Sequence, residues 1–99
     1  MIPAFDAESS WASLVAGESG AGPITQFDTT GYPVRFACEV KDFDATRWID
    51  YKSTRRMDRF TQLALAAARQ AEADSGIDIA KEPHRVGASI ATGIGGLGM

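Results

Sequence analysis

The second half of the chain, residues 57–99, constrains the fold more than any other stretch. Residues 58–75 carry apolar side chains at helical spacing, and Gly76 follows as a helix-ending residue. The sequence therefore predicts one long, alanine-rich helix, and its small side chains are typical of a central helix that packs on several sides. Residues 86–91 are small and apolar on both faces and predict a buried strand of a parallel sheet. A helix followed by such a strand indicates an α/β fold.

Shorter elements are predicted before this helix. Capping side chains at residues 6–9 and a stop at Gly17 predict a first helix. Residues 34–40 alternate between apolar and polar, which predicts a short extended segment with Cys38 on its apolar face. Two short helices are predicted next, one opened by Asp42 or Asp44 and one at residues 52–56.

Positive charge is concentrated just ahead of the long helix, although the net charge of the chain is -3. The spacing of these cations would place them on one face of a helix, where they would form a local anion-binding patch. The basic side chains are Lys52, Arg55, Arg56 and Arg59. A solvated face paired with Asp50 and Asp58 explains the same spacing equally well.

The glycine-rich end of the chain, with glycines at 93, 95 and 98, is a formal match to the G-x-G-x-x-G of dinucleotide-binding proteins. That fingerprint also needs a following helix and an acidic residue about twenty positions on, which would lie beyond residue 99. Glycines that let the backbone turn tightly and pack closely are the favoured interpretation, and dinucleotide binding is the alternative.

Composition excludes several function classes. The acidic balance argues against general nucleic-acid binding, and the single cysteine, Cys38, excludes an internal disulfide and favours a reducing compartment. The first residues lack the features of a signal peptide, and no apolar run is long enough for a membrane span. These features predict a cytoplasmic protein. Cys38 and the only histidine, His84, have no partners at catalytic or metal-ligand spacing, so no metal or other cofactor is implied.

Three segments together resemble one enzyme family. Residues 51–60 read YKSTRRMDRF, the alanine-rich helix runs on to Gly76, and residues 92–97 read TGIGGL. In this order they are similar to the N-terminal region of β-ketoacyl-acyl-carrier-protein synthases, above all the elongating type II enzymes of bacterial fatty-acid synthesis. Supporting similarity upstream extends the resemblance over nearly the whole chain.

The resemblance implies a thiolase-like α/β/α/β/α layered fold, usually found as a homodimer. Residues 1–99 would be a partial N-terminal domain covering about the first quarter of such an enzyme. The opening strand, the catalytic cysteine and the two catalytic histidines of the family have no match here. No catalytic residue is therefore assigned, and this chain alone is expected to be inactive.

Two binding roles are implied by residues that match the family's motifs. Lys52, Arg55 and Arg56 match basic positions that contact the acidic acyl carrier protein, which delivers phosphopantetheine-linked acyl and malonyl groups. Ile94 matches a residue of the glycine loop that lines and gates the acyl-chain pocket. The implied activity is decarboxylative condensation in fatty-acid elongation. The alternatives are a polyketide ketosynthase or chain-length factor, and a non-catalytic carrier-binding or dimerising module.

Overall fold

The structure, a computed structural model, describes residues 6–97. The chain divides into two compact units between Phe43 and Asp44. The first unit opens with helix α1, Ala7–Ala16, whose N-cap Asp6 accepts a 2.7 Å hydrogen bond from the Ser9 backbone N–H. The helix ends at Gly17 in the left-handed conformation. These limits agree with the prediction, because the capping residues lie next to the turns that they terminate.

A small antiparallel sheet follows in the first unit. Strand β1, Gly22–Pro23, pairs with strand β2, Phe36–Ala37, and Gly22 lies opposite Ala37. The extended segment predicted for residues 34–40 is thus a paired strand at only two positions.

The prediction that Cys38 lies on a buried apolar face is wrong, because Cys38 is exposed. The neighbouring side chain, Glu39, lies on the opposite face of the segment and is half-buried. Its carboxylate accepts hydrogen bonds from the Lys41 ammonium at 2.6 Å and from the backbone N–H groups of Thr25 and Gln26 at 3.0 and 3.3 Å. Four donors on one carboxylate, the Thr25 hydroxyl included, outweigh the weak preference of a short alternating pattern.

The second unit is helical. A 3-10 turn, Ala45–Arg47, is capped by Asp44 and leads to helix α2, Tyr51–Thr54, and helix α3, Arg59–Ser75. Two further 3-10 turns follow α3, at Ile79–Lys81 and Pro83–Arg85. The long helix has the predicted limits, and Gly76 ends it with φ 69°. Among residues 6–97, no helix is long and apolar enough to cross a membrane.

Two predictions about the second unit are wrong. Residues 86–91 form no strand, and Val86 and Ile90 are exposed. A strand needs a hydrogen-bonded neighbour, and the described residues offer this segment none. Helix α3 is not enclosed on several sides either: it is half-buried from Phe60 to Leu65, buried at Ala66, and mostly exposed beyond.

The buried apolar side chains of the second unit lie where α3 meets the 3-10 turn before α2. Ile49 and Ala66 are 7% and 4% exposed, and they are the only hydrophobic residues that are fully buried in the described part of the chain. Both the basic segment and the glycine turn of this unit lie next to the first two turns of α3.

Candidate functional site

The basic segment follows the start of α2. Lys52 lies within the helix, Arg55 is its C-cap residue, and Arg56 occupies the turn that follows. All three side chains are exposed. The expected single helical face that also includes Arg59 is wrong, because α2 ends at Thr54 and Arg59 begins a separate helix. The cluster of Lys52, Arg55 and Arg56 is therefore made by one short helix and its terminal turn.

Asp50, which immediately precedes this segment, is hydrogen-bonded within its own helix. Asp50 caps α2 and accepts hydrogen bonds from the Ser53 hydroxyl at 2.7 Å and the Ser53 backbone N–H at 3.0 Å. These two bonds lower the pKa of Asp50. Within residues 6–97, no carboxylate forms an ion pair with Lys52, Arg55 or Arg56. Lys52, Arg55 and Arg56 are therefore exposed without the pairing to Asp50 that was the alternative interpretation.

Aromatic side chains lie under two of the cations. The Arg55 guanidinium is 6.0 Å from the centroid of the Tyr51 ring, and the Arg47 guanidinium is 5.7 Å from that of Trp48. A cation over a ring face is attracted by the ring quadrupole and loses part of its freedom. Arg55 is thus partly ordered while its charge stays in solvent, a feature that charge spacing alone does not reveal.

The glycine turn presents apolar side chains outward. The Gly95 backbone N–H donates a 3.2 Å hydrogen bond to the Thr92 hydroxyl oxygen, and Gly96 has φ 82°. Ile94 is 79% exposed and Leu97 is 82% exposed. The turn therefore carries two large apolar side chains that are not covered by the described residues.

The backbone of this turn lies directly on the start of α3. A β-carbon added to Gly95 would be 2.7 Å from the Cδ1 atom of Phe60, and one added to Gly96 would meet the Asp58 carboxylate oxygen Oδ2. A β-carbon added to Gly93 would meet open space. Two of the glycines are therefore explained by close packing inside this chain, which is the interpretation that the sequence favoured over a nucleotide cradle.

Asp58 has an unusual environment for a residue that precedes a helix. It occupies the N-cap position of α3 with extended backbone, but its side chain makes no capping hydrogen bond. Its Oδ1 atom is buried and has no hydrogen-bond partner among the described residues. Leaving such an oxygen unpaired costs about 1–3 kcal/mol. The sequence indicated only a favourable charge at a helix N-terminus, and no spacing rule connects position 58 with position 96.

The two remaining candidate residues, Cys38 and His84, are not part of the basic segment or the glycine turn. Cys38 is exposed, and His84 is exposed in the turn Pro83–Arg85. Among residues 6–97, no three His, Cys, Asp or Glu side chains are grouped as metal ligands would be.

Comparison with known proteins identifies the family. Residues 3–98 match the family described as beta-ketoacyl synthase, N-terminal domain. The chain is 48% identical over 88 residues to the 3-oxoacyl-[acyl-carrier-protein] synthase 2 of Coxiella burnetii and 50% identical over 91 residues to that of Vibrio harveyi. It is also similar to a solved ishigamide ketosynthase/chain length factor, with 48% identity and a TM-score of 0.66 over 74% of this chain. The chain belongs to the β-ketoacyl synthase family, through its N-terminal domain.

The matches cover most of this chain but only a small part of each relative. The alignments include 88% and 91% of this chain but only 21% and 22% of the two synthases, and 18% of the solved structure. The chain therefore spans about a fifth of the length of the curated relatives that it matches. The family and the structural neighbour support a thiolase-like fold, of which residues 6–97 contain the helices and the two-stranded sheet described above.

Proposed function

We propose that this chain is part of a 3-oxoacyl-acyl-carrier-protein synthase, a condensing acyltransferase of fatty-acid elongation. One observation carries the proposal: the family match extends over residues 3–98, and relatives named 3-oxoacyl-[acyl-carrier-protein] synthase 2 are 43–50% identical. A cytoplasmic location and a homodimer of the whole protein are part of the same proposal.

The proposed reaction has two covalent stages. A cysteine thiolate takes the acyl group from its carrier thioester and releases the carrier thiol. Loss of carbon dioxide from malonyl-carrier then gives a carbanion, which attacks the acyl carbonyl and displaces the cysteine thiolate. Splitting the transfer in this way replaces one difficult step by two easier ones. The cysteine and the histidines of this chemistry would lie outside residues 1–99. Residues 1–99 would contribute binding surfaces but no reacting group.

The first such surface is a docking site for the acyl carrier protein at Lys52, Arg55 and Arg56. Acyl carrier proteins are acidic, and complementary charge steers two proteins to the right encounter. All three cations are exposed, and none is paired with a carboxylate of the described residues. Their charge is therefore available to a partner.

The second surface is a wall of the acyl-chain pocket at Ile94. A saturated acyl chain needs an apolar contact, and Ile94 is a large apolar side chain held out by a tight turn. The assignment of this residue to the pocket rests on the match of Ile94 to the family's glycine loop.

Carrier docking can be tested by charge reversal with a matched control. Arg55→Glu with Arg56→Glu changes the net charge by the same amount as Arg69→Glu with Lys81→Glu, which alters two exposed cations away from the basic segment. Fluorescence anisotropy of a labelled acyl carrier protein should show at least about tenfold weaker binding for the first pair only. Binding by the unchanged chain should also weaken as salt is raised. Equal losses for both pairs, or binding that salt does not affect, would contradict the docking site.

Condensation itself is tested with the complete gene product. Incubation with an acyl-carrier and malonyl-carrier should give a 3-oxoacyl-carrier two carbons longer, with release of carbon dioxide, as detected by mass spectrometry. The 99-residue chain should give none. Turnover by these 99 residues alone would contradict the assignment of the reacting groups to other sequence.

A second candidate is a polyketide ketosynthase or chain-length factor, which the similarity to the ishigamide ketosynthase/chain length factor favours. A ketosynthase that builds polyketides should extend an unreduced 3-oxoacyl-carrier, whereas a fatty-acid synthase should prefer the saturated acyl-carrier. A chain-length factor, or any other non-catalytic carrier-binding or dimerising module, should accept no acyl group from the carrier. Intact-mass measurement after incubation with acyl-carrier separates these cases.

A further inference from the structure

The turn that carries Ile94 is seated against two side chains at the start of α3. The Phe60 ring lies where a β-carbon on Gly95 would project, with Cδ1 and Cγ at 2.7 and 2.9 Å from that position. The Asp58 carboxylate lies where a β-carbon on Gly96 would project. Two consecutive residues of the turn therefore pack closely against an aromatic ring and a carboxylate, and the Thr92 Cγ2 atom, 2.6 Å from the same β-carbon position on Gly95, adds a contact from within the turn.

The packing of Phe60 and Asp58 against Gly95 and Gly96 restricts the direction in which the Ile94 side chain points. Gly95 packs against the Phe60 ring and also donates its N–H to the Thr92 hydroxyl oxygen. Gly96 has the positive φ that residues with a β-carbon rarely adopt. Since the residues immediately after Ile94 have little freedom, the side chain of Ile94 leaves the turn in a direction set by α3.

The geometry of Asp58 points to the same role. A residue at the N-cap position normally stabilises its helix by accepting a backbone N–H, and Asp58 does not. Its buried Oδ1 atom has no hydrogen-bond partner in the described part of the chain, which costs stability. The carboxylate therefore contributes little to α3 as a cap, and its close contact is with the glycine turn.

We propose that Asp58 and Phe60 are positioning residues for Ile94, which hold the backbone of the turn 93–97 and so set where the Ile94 side chain meets the acyl-chain pocket. The inference rests on the proposed function of Ile94. It adds that the fit of the acyl chain depends on residues at the start of α3 that do not themselves contact the acyl chain.

The packing part of the proposal is tested on the 99-residue chain by ¹⁵N relaxation. In Asp58→Ala, the heteronuclear NOE of residues 94–96 should fall, while that of residues 62–66 in α3 should not change. Asp58→Asn keeps the shape of the side chain and should retain the ordered turn. Gly96→Ala should disorder the turn, and Gly93→Ala, where a β-carbon meets open space, should not. Unchanged values for residues 94–96 in Asp58→Ala would overturn the proposal.

A double-mutant cycle separates contact from backbone strain. If the Asp58 carboxylate is the obstacle at Gly96, Gly96→Ala should disturb the turn less in an Asp58→Ala background than in the unchanged chain. Independent effects of the two substitutions would mean that Gly96 is required only for its positive φ, and Asp58 would lose its role. Phe60→Leu is preferable to Phe60→Ala for the second positioning residue, because it keeps apolar volume against α3 and should still loosen the turn.

The functional part is tested in the complete gene product by the ratio of kcat/KM for a long over a short acyl-carrier. Asp58→Ala should change this ratio by at least about threefold, in the range of one misplaced apolar contact. A general loss of stability would lower both values together and leave the ratio unchanged. Ile94→Phe, which narrows the space at the same wall, is the reference variant.

The outcomes distinguish the two proposals. If Ile94→Phe changes the ratio and Asp58→Ala does not, the positioning role is overturned and the pocket role of Ile94 stands. If Ile94→Phe leaves the ratio unchanged, the pocket role is overturned, whatever the relaxation data show for the turn.

Discussion

Gln62 donates a 3.0 Å hydrogen bond from its side-chain amide to the backbone carbonyl oxygen of Thr54. Thr54 is the last residue of α2 and Gln62 lies in the first turn of α3, so the bond joins the end of the basic helix to the long helix. Carbonyl groups in the last turn of a helix have no partner within the helix. The Thr54 oxygen accepts one hydrogen bond from the Met57 backbone N–H at 3.4 Å and a shorter one from Gln62, which thereby helps to fix the end of the segment that carries Arg55 and Arg56.

Gln62→Ala should loosen this connection. The loss of the hydrogen bond is expected to lower the free energy of unfolding by about 0.5–1.5 kcal/mol, because the half-buried Thr54 carbonyl loses the shorter of its two hydrogen bonds. Urea unfolding followed by circular dichroism measures the change. Arg69→Ala, on the exposed part of the same helix, is the control and should stay within about 0.5 kcal/mol. Equal changes for the two variants would show that the hydrogen bond adds no stability.

Gly76 gives a prediction about the other end of α3. Its φ of 69° is left-handed, and a β-carbon there would meet no neighbour within 4 Å, so backbone strain is the only obstacle to substitution. Gly76→Ala should therefore destabilise the helix by about 1–2 kcal/mol, and Gly76→Asn should cost less because asparagine tolerates this conformation.

Gly87→Ala is the matched control for Gly76. Gly87 also faces open space and does not have a positive φ. Its substitution should be neutral or slightly stabilising, since alanine reduces the freedom of the unfolded chain. A loss of stability at position 87 as large as that at position 76 would contradict the conformational explanation.

The limits of α1 and α3 could be predicted from the sequence because they depend on neighbouring residues, whereas α2, Tyr51–Thr54, ends earlier than the predicted helix at residues 52–56. Asp6, Gly17 and Gly76 act on the turn beside them, and each does what its residue type predicts. Burial could not be predicted in the same way. The strand at residues 86–91 requires a partner strand, and none is formed within residues 6–97. The exposure of α3 beyond Ala66 likewise depends on which other segments pack against the helix, and the composition of the helix does not determine that.

The candidate site divides along the same line. The concentration of positive charge in the basic segment can be read in the sequence, although its spacing predicted a single helical face that does not form. Ile94 was singled out only through the resemblance to the family's glycine loop. The packing of Asp58 and Phe60 against the glycine turn could not be predicted from the sequence, because it joins residues far apart in the chain through contacts between side chains and backbone. The ring under Arg55 was also missed, since a tyrosine beside a cation has no distinctive pattern.

Acid should destabilise the first unit through Glu39. Its pKa is lowered from the ordinary 4.5 to about 2, chiefly by the hydrogen bond from the Lys41 ammonium and further by the Thr25 and Gln26 donors. Because the folded state releases this proton more readily than the unfolded state, Glu39 stabilises the fold fully above pH 4.5. That contribution is lost as the pH falls from 4.5 towards 2.

The midpoint for Glu39 can be measured from the NMR shift of its carboxyl carbon. A value near 2 is expected, and a value near 4.5 would contradict the hydrogen-bonding account. Glu39→Gln should reduce the loss of stability between pH 4.5 and pH 2, whereas Glu8→Gln, at an exposed position on α1, should not.

Tyr51 should influence carrier binding without contacting the carrier strongly itself. Its ring lies 6.0 Å from the Arg55 guanidinium, and an exposed pair of this kind contributes about 0.5–1 kcal/mol. Tyr51→Ala should therefore weaken the binding of acyl carrier protein by about two- to fivefold, because Arg55 must then be ordered on binding. Tyr51→Phe keeps the ring and should bind like the unchanged chain. In an Arg55→Ala background, Tyr51→Ala should have no further effect, and an undiminished loss there would assign Tyr51 a contact of its own.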